Sequence, residues 1–97
     1  MIIVVATITS KPGQRNEIIS KSQEVISQTR LESGCISYEL MASTEDENVL
    51  VMFERWENME SLQAHMETPH FKSFGPSIED LMARELEIEI YRAKVEI

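Results

Sequence analysis

Apolar residues recur along the chain with two periods, and each change of period marks a new element. From Ile2 to Thr9 (IIVVATIT) β-branched residues dominate and predict a strand. Ile2, Val4, Ala6 and Ile8 fall on one face, Ile3 and Val5 on the other. A strand apolar on both sides needs cover on both sides. Lys11-Pro12-Gly13 ends it. From Gln14 to about Glu32 the spacing turns helical. Ile18, Ile19, Ser22, Val25, Ile26 and Thr29 make one stripe, with Glu17, Lys21 and Glu24 elsewhere on the wheel. Ser33-Gly34 stops this helix, with Gly34 as its C-terminal cap. Cys35 to Ala42 then alternates Ile36, Tyr38, Leu40 and Ala42 against Cys35, Ser37, Glu39 and Met41, the pattern of a half-buried strand. The polar loop Ser43 to Asn48 joins it in a hairpin to Val49–Trp56. There Leu50 and Met52 oppose Val49, Val51 and Phe53, so both faces are apolar again.

Asn58 caps the next helix, whose stripe is Met59, Leu62 and Met66. His65 lies roughly 90° from the centre of that stripe at about 100° per residue, which puts it at the boundary between core and solvent. Thr68-Pro69 interrupts the helix, and a second segment brings Phe71 and Phe74. Gly75-Pro76 restarts it, and Ile78, Leu81 and Met82 continue the stripe. Leu86 to Ile97 reads as a long last strand. Leu86, Ile88 and Ile90 share one face and Tyr91, Ala93, Val95 and Ile97 the other, a phase slip that predicts a bulge or a change of packing environment. The order β-α-β-β-α-β is that of an α+β, ferredoxin-like antiparallel sheet with its helices on one face. Two helices cover only one face, yet the first and third strands are apolar on both. The expectation is that the free face packs on a second copy, giving a homodimer.

Composition narrows the partners. Ninety-seven residues suit a single domain, 1–97. The formal net charge is -8, and the 9 basic residues form no cluster. Such a surface repels phosphate backbones and anionic lipid, so neither nucleic acid nor membrane is the expected partner. The longest apolar run, Met1 to Ala6, is too short to span a bilayer and lacks the basic flank of a signal peptide. The single Cys35 cannot form an internal disulfide, and no metal-ligand spacing surrounds it. A soluble cytoplasmic domain is expected.

Reactive side chains collect between Val49 and Phe74. Glu54 shares an apolar strand face with Met52 and Trp56, where a carboxylate is costly unless it is paired or faces a pocket. It is either a ligand-anchoring or acid/base group with a perturbed pKa, or a structural partner of Arg55, Arg84 or Arg92. Trp56 is either a core lid or the wall of a pocket for a planar ligand. An imidazole at His65 can hydrogen-bond a ligand hydroxyl or take its proton, while His70 after Pro69 equally suits a helix start. The two histidines stand five apart across a proline with no third ligand in view, so no metal is expected. Tyr38, Ser37 and Cys35 offer hydroxyls and a thiol on the second strand, beside the third. Phosphate-binding glycine loops and dinucleotide fingerprints are absent.

Taken together, Lys11-Pro12-Gly13-Gln14, Glu32-Ser33-Gly34-Cys35 with Tyr38, Glu54-Arg55-Trp56-Glu57, Leu62-Gln63-Ala64-His65 and Thr68-Pro69-His70-Phe71-Lys72 form a recognisable series. The chain resembles the antibiotic biosynthesis monooxygenase (ABM) domain family, most nearly its quinol monooxygenase-like branch. The resemblance implies a dimeric α+β barrel built from two ferredoxin-like protomers. It also implies a monooxygenase that needs no cofactor and oxidises a small aromatic or quinol with molecular oxygen. Carried onto this chain, the catalytic residues are His65 as hydroxyl partner, Tyr38 as a second hydrogen-bonding group and Glu54 as an orienting carboxylate. Trp56, His70, Phe71 and Phe74 then bind the substrate. Haem-degrading relatives use an Asn in the first strand, which Ile2 to Thr9 lacks. Another relative isomerises a phosphorylated sugar-like signal molecule, and its His-x-x-Thr-Pro-His stretch is similar to His65–His70. That isomerase is the alternative, with a non-catalytic small-ligand-binding dimer as a third class.

Overall fold

A computed structural model describes residues 1–97. Its elements are β1 (Ile2–Thr9), α1 (Arg15–Thr29), β2 (Cys35–Ala42), β3 (Val49–Trp56), α2 (Met59–Met66), α3 (Pro69–Ile78), a 3-10 turn (Glu79–Leu81) and β4 (Glu87–Arg92). The sheet order is β2-β3-β1-β4 with every pair antiparallel, a ferredoxin-like α+β fold. The β-branched runs form the two central strands, paired from Ile2↔Trp56 to Thr9↔Val49.

Ile2, Val4, Ala6 and Ile8 of β1 and Leu50, Met52 and Trp56 of β3 are buried on the helix side. Ile18, Val25 and Ile26 of α1, Leu62 of α2 and Ile78 of α3 close over them. Each Val, Leu, Ile or Met among them contributes about 1.5–3 kcal/mol by leaving water. The period-2 geometry sends Ile3, Val5, Val51 and Phe53 to the opposite face, where they are half-buried and no helix of this chain reaches them.

Four local expectations change. Strict alternation in β2 fails at Ile36, because the register shifts between Cys35 and Ser37. Cys35 pairs with Trp56 and Ser37 with Arg55, so Ile36 is the extra residue of a bulge and stays half exposed. Helix α1 stops at Thr29, short of the end expected near Glu32, so Gly34 is not its cap. Gly34 instead serves the turn into β2: its φ is +85°, and a Cβ there would collide with the Ser61 side chain. Its carbonyl accepts the Glu57 N–H at 2.9 Å, which ties this turn to the β3–α2 junction. Helix α3 runs unbroken through Gly75-Pro76 instead of restarting there. Pro76 removes one helical hydrogen bond, but the burial of Ile78 just beyond it holds the segment. Finally, β4 ends at Arg92 and has no bulge, pairing evenly from Thr7↔Glu87 to Ile2↔Arg92. Tyr91 pairs with Ile3 and shares its side of the sheet, while Ala93, Val95 and Ile97 lie past the last paired residue. Beyond Arg92 only the Ala93 N–H bonds back, to the Met1 carbonyl at 2.9 Å.

Candidate active site

The site grows from the turn after Trp56. Asn58 accepts the Ser61 N–H at 2.8 Å and starts α2, which buries Leu62 and His65 against β3. Thr68 then accepts the Phe71 N–H at 3.3 Å and starts α3, folding it back beside α2. His65 is therefore enclosed from two sides and is 1% exposed, not at the solvent boundary its helical wheel position predicted. Its ring centroid lies 4.7 Å from Trp56, 5.0 Å from Phe71, 5.6 Å from Tyr38 and 6.0 Å from His70. A wheel sees one neighbouring surface, and here α3 supplies a second.

Glu32, which no sequence argument singled out as a site residue, completes the arrangement. One of its oxygens, Oε2, lies 2.7 Å from His65 Nδ1 and 2.7 Å from His70 Nε2. The only available signal was its place in the Glu32-Ser33-Gly34-Cys35 stretch, since the contact is made by the turn that Gly34 permits. Burial lowers the pKa of His65, and the hydrogen bond to Glu32 partly offsets this. A neutral His65 that donates Nδ1–H to Glu32 has an unprotonated Nε2. That atom is buried and has no partner in the protein.

Glu54 is 6% exposed and accepts the Trp56 indole N–H at 3.0 Å. Burial pushes its carboxyl up to about 7 against the effect of the indole bond, with the charge of Glu32 adding to the rise. No arginine neutralises it; the Arg55 guanidinium donates to Ser37 Oγ at 2.8 Å. Tyr38 is buried as well, and its pKa is raised by burial and then by the Glu54 charge, so it stays a neutral donor.

These groups face a cavity of about 520 Å³ between the sheet and α2–α3. Tyr38, Glu54, His65, Phe71 and Phe74 line it among mostly apolar neighbours such as Val4, Met52, Leu62 and Leu86. Ile88 and Ile90 of β4 also line it and stay half exposed, and Lys72, Arg84, Glu79 and Glu85 add charge. Trp56 and His70 lie outside this lining. Trp56 is fully buried behind Glu54, and His70 stands beyond Glu32 with its side chain 17% exposed. A cavity of this size suits one small ligand held by a few polar groups. The expectation against a metal rested on the lack of a third ligand, and Glu32 is a candidate for that place: one donor atom from each of Glu32, His65 and His70 lies within 4.8 Å of the others.

Residues 1–76 match the family model described as antibiotic biosynthesis monooxygenase. The chain belongs to the antibiotic biosynthesis monooxygenase family. Among relatives of this ABM-family chain, the Synechocystis protein sll1783 is 38% identical over 91 residues, 94% of this chain. The chain spans 62% of that protein's length. "Probable quinol monooxygenase YgiN" of Escherichia coli K12 is 28% identical over 92 residues, covering 80% of this chain and 85% of YgiN. The crystal structure of a conserved protein from Methanosarcina mazei Go1 superposes with a TM-score of 0.91 at 35% identity, covering 96% of this chain and 92% of that one. ABM membership and the ferredoxin-like protomer therefore agree. Family and fold set the scaffold, and the reaction has to be argued from the site.

Proposed function

We propose that the chain is a cofactor-independent monooxygenase that oxidises a small aromatic phenol or quinol with molecular oxygen. The observation that carries this reading is His65: buried, held through Nδ1 by Glu32, left with an unpartnered Nε2, and lining an apolar cavity. In this reading Nε2 accepts the hydroxyl proton of the substrate. Tyr38 and the protonated form of Glu54, which its raised carboxyl makes available, donate hydrogen bonds to the resulting oxygen, with Glu54 held in place by the Trp56 indole. Phe71 and Phe74 flank the ring, and the apolar walls keep water from the anion. The anion supplies the electrons. In a phenol-to-quinone conversion one oxygen atom becomes the new carbonyl, and the other leaves as water with two hydrogens of the substrate. The E. coli relative, named a probable quinol monooxygenase, supports a quinol among the candidate substrates.

The working unit in this reading is a cytoplasmic homodimer of single 1–97 domains. Ile3, Val5, Val51 and Phe53 on the uncovered sheet face support the second copy, and the lone Cys35 suits a reducing compartment. No helix is long and apolar enough to cross a membrane. The phosphorylated-sugar isomerase is less well served, because the cavity walls are mainly apolar and Lys72 is paired with Glu67 at 3.2 Å.

Oxygen uptake with a reduced naphthoquinol tests the reading. His65→Ala is expected to lower the rate about 10²–10⁴-fold, the usual contribution of a positioned base. An unchanged rate removes His65 from the chemistry. Turnover of a phosphorylated ketose without oxygen selects the isomerase, and saturable binding with no turnover selects a non-catalytic binding protein.

A further inference from the structure

We propose that Glu32, His65 and His70 form a binding site for one divalent transition-metal ion of the zinc class, on the side of the His65 ring away from the substrate cavity. The three donors come from three segments: the turn after α1, the end of α2 and the first turn of α3. Different ring nitrogens, Nδ1 of His65 and Nε2 of His70, converge on the same carboxylate oxygen. Two imidazoles and one carboxylate are a donor set that zinc takes with an open fourth position for water. Glu32 and His70 keep 14% and 17% of their side chains exposed, so the cluster reaches solvent although His65 does not. The net charge of -8 raises the local concentration of cations.

The hydrogen-bonded geometry can convert to a coordinated one with modest movement. Ligand atoms at zinc's bond lengths stand about 3.3 Å apart in a tetrahedron, and here the oxygen is 2.7 Å from each nitrogen. The carboxylate must withdraw by a few tenths of an ångström, for which its partly exposed side chain leaves room, and the two imidazole nitrogens, within 4.8 Å of each other, must settle to the same spacing. His65 must present a bare Nδ1, which moves its ring proton to Nε2. Because Nε2 has no partner in the protein, the move disturbs no bond at that end, and the Nδ1–H bond to Glu32 is replaced by ligation of both atoms to the ion.

The last step has a consequence that rests on the proposed oxygenase reading. With metal on Nδ1, Nε2 carries a proton and can no longer accept one from a substrate hydroxyl. Zinc then acts as an inhibitor that does not compete for the cavity.

Titration of the chelator-treated full chain with Zn²⁺ in a calorimeter, and with Co²⁺ followed by its visible absorption, tests the site directly. The expected result is one ion per chain and a tetrahedral cobalt spectrum, with affinity lost at least about 100-fold in His70→Ala and in Glu32→Gln, beyond what loss of an outer-shell partner costs. Circular dichroism and thermal melts establish that both variants are folded, and His70, outside the core, is the safer of the two. No saturable binding by the wild type, or equal binding by folded His70→Ala, overturns the site. In oxygen uptake, Zn²⁺ should lower kcat of the wild type without raising KM and leave the residual rate of His70→Ala unaffected. Metal binding without such inhibition overturns the link to the tautomer. Metal binding in a protein that turns over no quinol counts against the oxygenase reading alone.

Discussion

The two faces of the sheet are built from the same two central strands, yet they become different surfaces. On the helix side, Met52, Glu54 and Trp56 of β3 are sealed under α2 and α3. On the other side, Val51 and Phe53 of the same strand are only half-buried. Enclosure makes the chemistry on the first face. A carboxylate there rises to about 7, an imidazole loses basicity, and both meet an apolar cavity. The second face carries only the cost of leaving apolar side chains partly in water, which a second surface relieves. Burial sets what a side chain can do on this sheet, and one residue of register decides which side it joins.

Trp56→Ala is the harshest way to break the contrast. It removes a fully buried ring from the helix side and should cost about 3–5 kcal/mol in urea unfolding. A smaller loss would mean that the face is less tightly sealed than described. Glu54→Gln sharpens the electrostatic half of the comparison. The folded carboxyl releases its proton near 7, against an ordinary value of 4.5, so the folded state holds this proton while the unfolded state has already released it. Stability from this group is complete below about 4.5, falls as pH rises towards 7, and stays reduced above it. The glutamine variant should therefore gain up to about 3 kcal/mol over the wild type at pH 8 and nothing at pH 4. Parallel unfolding curves at the two pH values would show that Glu54 is not dehydrated. On the free face, Phe53→Lys should change the intrinsic stability of the protomer by only about 1 kcal/mol. Its main effect should be a fall in sedimentation mass from dimer to monomer at micromolar concentration. A wild-type chain already monomeric there would leave the free face without the role proposed for it.

Much of the scaffold could be read in advance. The bounds of β1, β2 and β3 follow from β-branched and alternating runs, and Asn58 caps α2 where expected. Patterns failed where a neighbour in space outweighed a neighbour in sequence. Pro76 stayed helical because Ile78 is buried beyond it, β4 stopped where β1 ran out, and Ile36 was displaced by a bulge that alternation could not show. The candidate site was legible in part. His65, Tyr38, Glu54, Phe71 and Phe74 were named from the chain and line one cavity, whereas Trp56 supports that cavity from behind and His70 faces Glu32. Glu32 was invisible because a carboxylate 33 residues from its imidazole partner has no signature in sequence.

The sequence by itself determined the order of elements, the two-faced strands and the family, because these depend on period, propensity and spacing along the chain. Only the tertiary structure decided that His65 is buried, that Glu32 joins it to His70, and that the carboxyl of Glu54 is raised. Each of those depends on how much water and which charges remain around a group once distant segments meet, and a one-dimensional pattern carries neither quantity.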